Sequence, residues 1–231
     1  MPHARQHVRD REQERREGDR AYEPAASLAL HDGINARLRY GDIVKRAWLA
    51  SLLIACGAPP APTGPIQVGG CGGLETAVAS EAGIHVNVGT PITWSSNPPA
   101  TGKHYPIWAA YDRAYTALDR GFWLHDAEHG AIILLYNCGT TPCPEITDGL
   151  AAIVDAMPTD PSCTAPVRNR AIIAADPLLP EGITVAAVAW DVNYTATCVD
   201  PYLHTFASDH YNNAPEDLCA DGASLGGTPI P

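Results

Sequence analysis

Positive charge is scarce in this chain beyond residue 56. From there to the end it carries five basic residues, Lys103, Arg113, Arg120, Arg168 and Arg170, against eighteen acidic ones, a formal balance of −13. Nucleic acid and anionic membrane surfaces both require a basic face, so neither is expected to bind this part. Long apolar runs are missing as well. The stretch 47–55, Ala-Trp-Leu-Ala-Ser-Leu-Leu-Ile-Ala, has nine residues, whereas a membrane-spanning helix needs about 20. No two cysteines have the two-residue spacing of zinc ribbons or thioredoxin-like sites. There is no glycine loop with the spacing that cradles phosphate, and no internal repeat.

The front of the chain has the opposite character. Residues 1–43 hold eight of the 15 Lys and Arg in a polar string with almost no aliphatic residue before Leu28. Such a composition cannot bury a core, and the segment is expected to be disordered or an extension outside the working protein. Lys45-Arg46 then precede the apolar run, which ends Leu53-Ile54-Ala55-Cys56. This is the layout of a short secretory signal, and its end resembles the lipobox of bacterial lipoproteins, cut before a cysteine that receives lipid. A signal works at a chain start, so initiation at Val44 is expected. The predicted organisation is an extension over 1–43, a signal over 44–55, lipidated Cys56 with a Gly/Pro-rich tether to residue 73, a globular domain over 74–220 and a loose tail over 221–231. It implies a protein held outside the cytoplasm, on the periplasmic or cell-surface side of the envelope, touching membrane only through the lipid on Cys56.

Cysteine arithmetic points to the same compartment. Setting Cys56 aside leaves Cys71, Cys138, Cys143, Cys163, Cys198 and Cys219, an even number that predicts three disulfides. The short spacing of Cys138 and Cys143 invites a local bridge, and Cys198 and Cys219 bracket one helical segment. The remaining pairing is open.

Within the domain, 131–136 and 184–190 are short continuous apolar runs that predict buried strands. Helices are predicted over 147–157, stopped by Pro158, and over 200–211, where Asp200 can cap and Pro201 suits the first turn. The fold class expected is α+β: a small single domain with a short mixed or antiparallel sheet, a few flanking helices and disulfide staples.

The stretch with most chemistry is His125-Asp-Ala-Glu128-His129-Gly130, two imidazoles and a carboxylate set against an apolar run. Groups of this kind are costly beside a core unless something satisfies them, and a divalent metal is a common partner for His with Glu. Upstream, Asn97-Pro98-Pro99-Ala100-Thr101-Gly102-Lys103-His104 presents His104 from a stiff turn. His85 lies in Gly83-Ile-His-Val-Asn-Val-Gly89, which alternates like a strand edge. His104, His125, His129, Glu128 and His85 are therefore the candidate ligands for zinc or copper. His204 and His210 cannot share a helix face and are expected in solvent. Trp108, Tyr111, Trp123, Tyr136 and Trp190 read as core or pocket wall.

The order Asn-Pro-Pro-x-Thr-Gly-x-His, then Trp108-x-x-Tyr111, then Leu-His-x-x-Glu-His-Gly before an apolar strand resembles the bacterial domain-of-unknown-function family 3105. Trp190, Asp200, Phe206 and Ala214-Pro215-Glu216 continue the resemblance, which spans roughly residues 81–217. The chain departs from that pattern at Asp126, where the family usually has Asn, and at Ala131, where it has Gly. The resemblance implies a domain found in envelope proteins and carries no activity with it.

Two other functions compete with metal binding. His125-x-x-Glu128-His129 has the letters of an inverzincin metalloprotease, with Glu128 as general base and a third ligand among Glu145, Glu181 and Glu216. Gly130 and the strand-like run leave little more than one helical turn for that motif. The remaining reading is a structural or interaction module whose His cluster is a polar network without metal.

Overall fold

The computed structural model describes residues 64–230. The extension, the signal and Cys56 lie outside the described residues. In chain order the strands are β1 (Ile66–Gln67), β2 (Leu74–Ala77), β3 (Arg113–Tyr115), β4 (Ile132–Tyr136), β5 (Ala171–Ala175), β6 (Val185–Ala189), β7 (Val192–Ala196) and β8 (Thr228–Pro229). The helices are α1 (Arg120–Glu128), α2 (Pro144–Ala156) and α3 (Tyr202–His210). All eight strands form one sheet in the order β1-β2-β7-β6-β4-β5-β3-β8. It is mixed: β5 runs parallel to β4 and β3, and the other pairings are antiparallel.

The centre of the sheet explains why the two apolar runs show no alternation. Along β4, Ile132 and Leu134 pack with Leu150, Ile153 and Val154 of α2 and with Leu203 and Phe206 of α3. Ile133 and Leu135 pack on the opposite face with Trp123, Leu124 and Ala127 of α1. A strand covered on both faces has no solvent side to mark with polar residues. The α+β class and the mixed sheet agree with expectation, and β4, β6, α2 and α3 fall where the sequence places them. Helix α2 starts earlier than expected because Pro144 occupies its first turn with Glu145 beside it. Asp200 caps α3, accepting the Tyr202 N–H at 2.7 Å, and also accepts the Gly70 N–H.

Three expectations need correcting. Helix α1 carries the His motif in its last turn and extends upstream from it, with Asp119 as N-cap accepting the Gly121 N–H at 2.8 Å. All of its residues except Phe122 are buried, so the polar face by which a surface helix is recognised is absent. The tether expected up to residue 73 ends sooner, since β1 and β2 form a hairpin on the sheet edge with Ile66 opposite Glu75. The tail expected to be loose pairs through β8 with β3, and Ala223 bridges Ala109. Gly/Pro composition signals turns, and these turns connect short edge strands. No helix among the described residues is long and apolar enough to cross a membrane.

Three disulfides close the domain: Cys71–Cys198, Cys138–Cys143 and Cys163–Cys219, with Cα separations of 5.6, 6.1 and 4.9 Å. The first fastens the β1–β2 hairpin to the end of β7. The second closes the loop between β4 and α2, as its spacing suggests. The third ties the α2–β5 connection to the chain after α3. Three bridges fit an oxidising, extracytoplasmic compartment. Cys163→Ala/Cys219→Ala, which opens a long loop, should lower stability by about 2–4 kcal/mol in denaturant unfolding; a change below about 0.5 kcal/mol would contradict the bridge.

Candidate metal centre

Helix α1 ends in a geometry that fixes its last turn. Gly130 has φ +88°, its N–H donates to Ala127 O at 3.0 Å, and Ala131 N–H donates to Asp126 O at 3.0 Å. This paired closure needs a left-handed residue just past the cap, which glycine supplies without steric cost. His125 and Glu128, three residues apart, consequently share one side of a rigid turn. His104 comes from the Pro-Pro loop, where Gly102 takes φ +97° and turns the chain. His85 reaches the same place because its strand-like segment makes a single parallel bridge with His104. Val86 N–H donates to His104 O at 2.9 Å and His104 N–H to Ile84 O at 3.1 Å.

These four residues converge. One ligand atom from each of His85, His104, His125 and Glu128 lies within 4.8 Å of all the others. The imidazole centroids are 4.7 Å apart for His85–His125 and His104–His125, and 4.9 Å for His85–His104. The inner two rings are oriented from behind. His104 Nδ1 is 2.9 Å from Gly102 O and His125 Nδ1 is 2.7 Å from Tyr105 O. A carbonyl only accepts, so each Nδ1 carries a hydrogen, and Nε2 is the ring nitrogen left for another partner. Backbone-oriented imidazoles of this kind are the usual support of metal ligands.

His104 Nε2 sits 2.9 Å from Glu128 Oε2. The two atoms are not aligned as donor and acceptor, and Nε2, fully buried, has no hydrogen-bond partner. The pair stand side by side within the cluster. The Glu128 carboxylate is held in place by a missing side chain, because a Cβ on Gly83 would overlap it. Gly83→Ala should therefore push the Glu128 carboxylate aside and, where the cluster takes zinc, weaken that binding by roughly 10- to 100-fold, as disturbing a ligand's surroundings does, while shifting the melting midpoint of the metal-free chain little. Unchanged zinc affinity in a calorimetric titration would contradict this.

Burial pushes His125 down to about 4, helped by His129, His104 and His85 and opposed by the Tyr105 carbonyl. Burial alone would raise Glu128, but the His104, His125 and His85 imidazoles outweigh it and hold the carboxyl below its ordinary value. Asp126 is buried completely and, through that burial, pushed well above the carboxylate range. Its Oδ2 accepts the Ala109 N–H at 3.2 Å, while Oδ1 has no partner.

His129, the remaining candidate, lies outside the set of mutually close ligand atoms, although its ring centroid is 4.5 Å from that of His125. Its Nε2 lies 3.2 Å from Glu216 Oε2 and its Nδ1 3.3 Å from the Tyr111 hydroxyl. Burial lowers its pKa, against the pull of the Glu216 and Glu128 carboxylates. Of the three glutamates considered by type, Glu216 is the one beside the motif, held by its N–H to Glu128 O at 3.1 Å. Trp108, half-buried, lies against both His125 and His129, with centroids 5.3 and 4.8 Å away. His204 is exposed, and His210 is partly covered with Nε2 3.5 Å from Glu75.

Sequence reasoning missed the roles of Gly83 and of the Gly102 and Tyr105 carbonyls, because backbone groups leave no residue-type signal. It also passed over Gly222-Ala223-Ser224-Leu225-Gly226, which has the letters of a hydrolase nucleophile elbow. Ser224 is exposed in irregular chain before a turn, without the strand–turn–helix such an elbow requires.

Fold and site together define an α+β domain, stapled by disulfides, that gathers three histidines and a glutamate beneath one edge of its surface. The chain belongs to the family described as protein of unknown function (DUF3105), whose model matches residues 85–222, more than half of its length. No curated protein and no solved structure matches it.

Proposed function

We propose that this is an extracytoplasmic, lipid-anchored metal-binding protein in which His85, His104, His125 and Glu128 hold one divalent ion, zinc or copper. The observation that carries the reading is the buried, unpartnered His104 Nε2 facing the Glu128 carboxylate and His125 Nε2. A buried polar atom without a partner is costly, and one cation would satisfy all three groups. Three imidazoles and a carboxylate suit zinc or copper better than calcium or magnesium, which favour oxygen.

The hydrolase reading is less well supported. A general base must be free to take a proton from water, and Glu128 Oε2 is already one of the converging ligand atoms. His129, which that motif needs as a ligand, lies outside the set of mutually close ligand atoms. Glu128→Gln separates the readings: as a ligand change it weakens metal binding, whereas loss of a base would leave metal bound and stop hydrolysis. The lipid anchor rests on the Lys45-Arg46, apolar-run, Cys56 layout and on the disulfides. Mass spectrometry of the native protein should find lipid on Cys56 and no peptides from residues 1–43.

Metal content tests the central claim. The full chain, made without a His tag and exported through an oxidising compartment, should contain close to one zinc or copper per molecule by plasma mass spectrometry. Metal-free protein that refuses both ions would overturn the reading and leave a polar network.

A further inference from the structure

The four ligands are not equally held. His104, His125 and Glu128 are buried, at 0, 3 and 6 % exposure, whereas His85 is exposed. His125 and Glu128 stand on the closed last turn of α1, and the two inner imidazoles are each oriented by a backbone carbonyl. The His85 ring has no hydrogen bond among the described residues; it is placed only by ring contacts with His104 and His125. Its neighbours Ile84 and Val88 are exposed too, at 49 and 51 %. The backbone on either side of His85, by contrast, is pinned to His104.

We propose that His85 is a displaceable ligand, and that its coordination position accepts a small nitrogen or anionic donor arriving from solvent. This rests on the metal-binding reading above. An incoming donor can approach only from the side that solvent reaches, and that side is the His85 ring. An imidazole without a supporting hydrogen bond is the weakest-held of the set, since such support is worth roughly 10- to 100-fold in affinity. Because the backbone is pinned, rotation of the side chain alone clears the position and no loop has to open. The two histidines and one carboxylate left behind form the three-ligand set that keeps a metal with one open site. The exchange breaks the bond from His85 nitrogen to metal and makes one from the incoming donor, and no electron is transferred. The protein is then a metal centre that takes an exogenous ligand, which a closed structural site does not.

Cobalt(II), whose visible bands report coordination, tests this on the full chain with imidazole and azide as probes. Wild type should show saturable band shifts with either probe. His85→Gly should retain cobalt within roughly 10- to 100-fold of wild-type affinity, and millimolar imidazole should restore the wild-type spectrum. His125→Gly should lose the metal and gain nothing from imidazole. If the cobalt spectrum of wild type ignores both probes, or if His85→Gly loses metal as completely as His125→Gly, the inference falls and metal binding stands. If wild type takes up none of cobalt, zinc and copper, metal binding itself falls and this inference with it.

Discussion

Zinc added to the metal-free chain at about a thousandfold excess over Kd should stabilise it by roughly 4 kcal/mol, raising the melting midpoint by about 8–16 °C. His104→Ala/His125→Ala should abolish that rise. The reasoning starts from what the folded chain already contains: ligand atoms from four residues lie within 4.8 Å of one another, and two rings are aimed by the Gly102 and Tyr105 carbonyls. The unfolded chain has no such convergence, so metal affinity becomes folding free energy. The metal-free double variant should melt about 4–8 °C lower than wild type, because two buried carbonyls lose donors at about 1 kcal/mol each. The comparison that decides is the zinc-dependent increment. An increment that persists in the double variant would place the metal elsewhere.

Arg170→Met should cost about 3–5 kcal/mol, the usual effect of breaking a buried charge pair, and lower the melting midpoint by about 6–20 °C. The guanidinium is 1 % exposed and serves three separate parts of the chain. Its Nη2 donates to Asp160 at 2.8 Å, and its Nη1 donates to His129 O and to Asp217, each at 2.8 Å. Methionine fills the volume but leaves the Asp160 carboxylate without its cation and the His129 carbonyl without a donor. The same pair shapes the acid limb. Burial would raise Asp160, yet hydrogen bonds from Ser162, Tyr211 and Arg170 hold it well below the ordinary carboxylate range. A carboxyl depressed in the folded state binds fewer protons there than in the unfolded chain. Its contribution is therefore complete above about pH 4 and is lost as the pH falls further. Wild-type stability should decline steeply below about pH 4, and Arg170→Met should flatten that limb. Parallel limbs in chemical unfolding from about pH 3 to 6 would show that Asp160 does not draw on Arg170.

Much of the fold is legible because it is written locally. The β4 and β6 runs, the body of α2 up to Pro158 and the Asp200 cap of α3 are short-range signals whose energetics involve neighbours in sequence. Helix α1 was not legible, since Trp123, Leu124, His125 and Asp126 are all buried and leave no periodic contrast between faces. The edge strands β1 and β8 were read as tether and tail for a related reason. Two residues among glycines and prolines become a strand only when a sheet edge is there to receive them.

The candidate site divides in the same way. The sequence by itself determined that two imidazoles and Glu128 crowd residues 125–129, that His104 sits on a stiff loop and that six cysteines pair. Each of these follows from backbone geometry over a few residues or from parity. Only the tertiary structure decided that His85 joins the cluster, that His129 turns to Glu216 and Tyr111, that Gly83 makes room for the Glu128 carboxylate and which cysteines meet. Those outcomes depend on contacts between segments far apart in the chain, such as the bridge between His85 and His104. Their free energy comes from packing and long-range hydrogen bonds, which exist only once the sheet has brought the segments together.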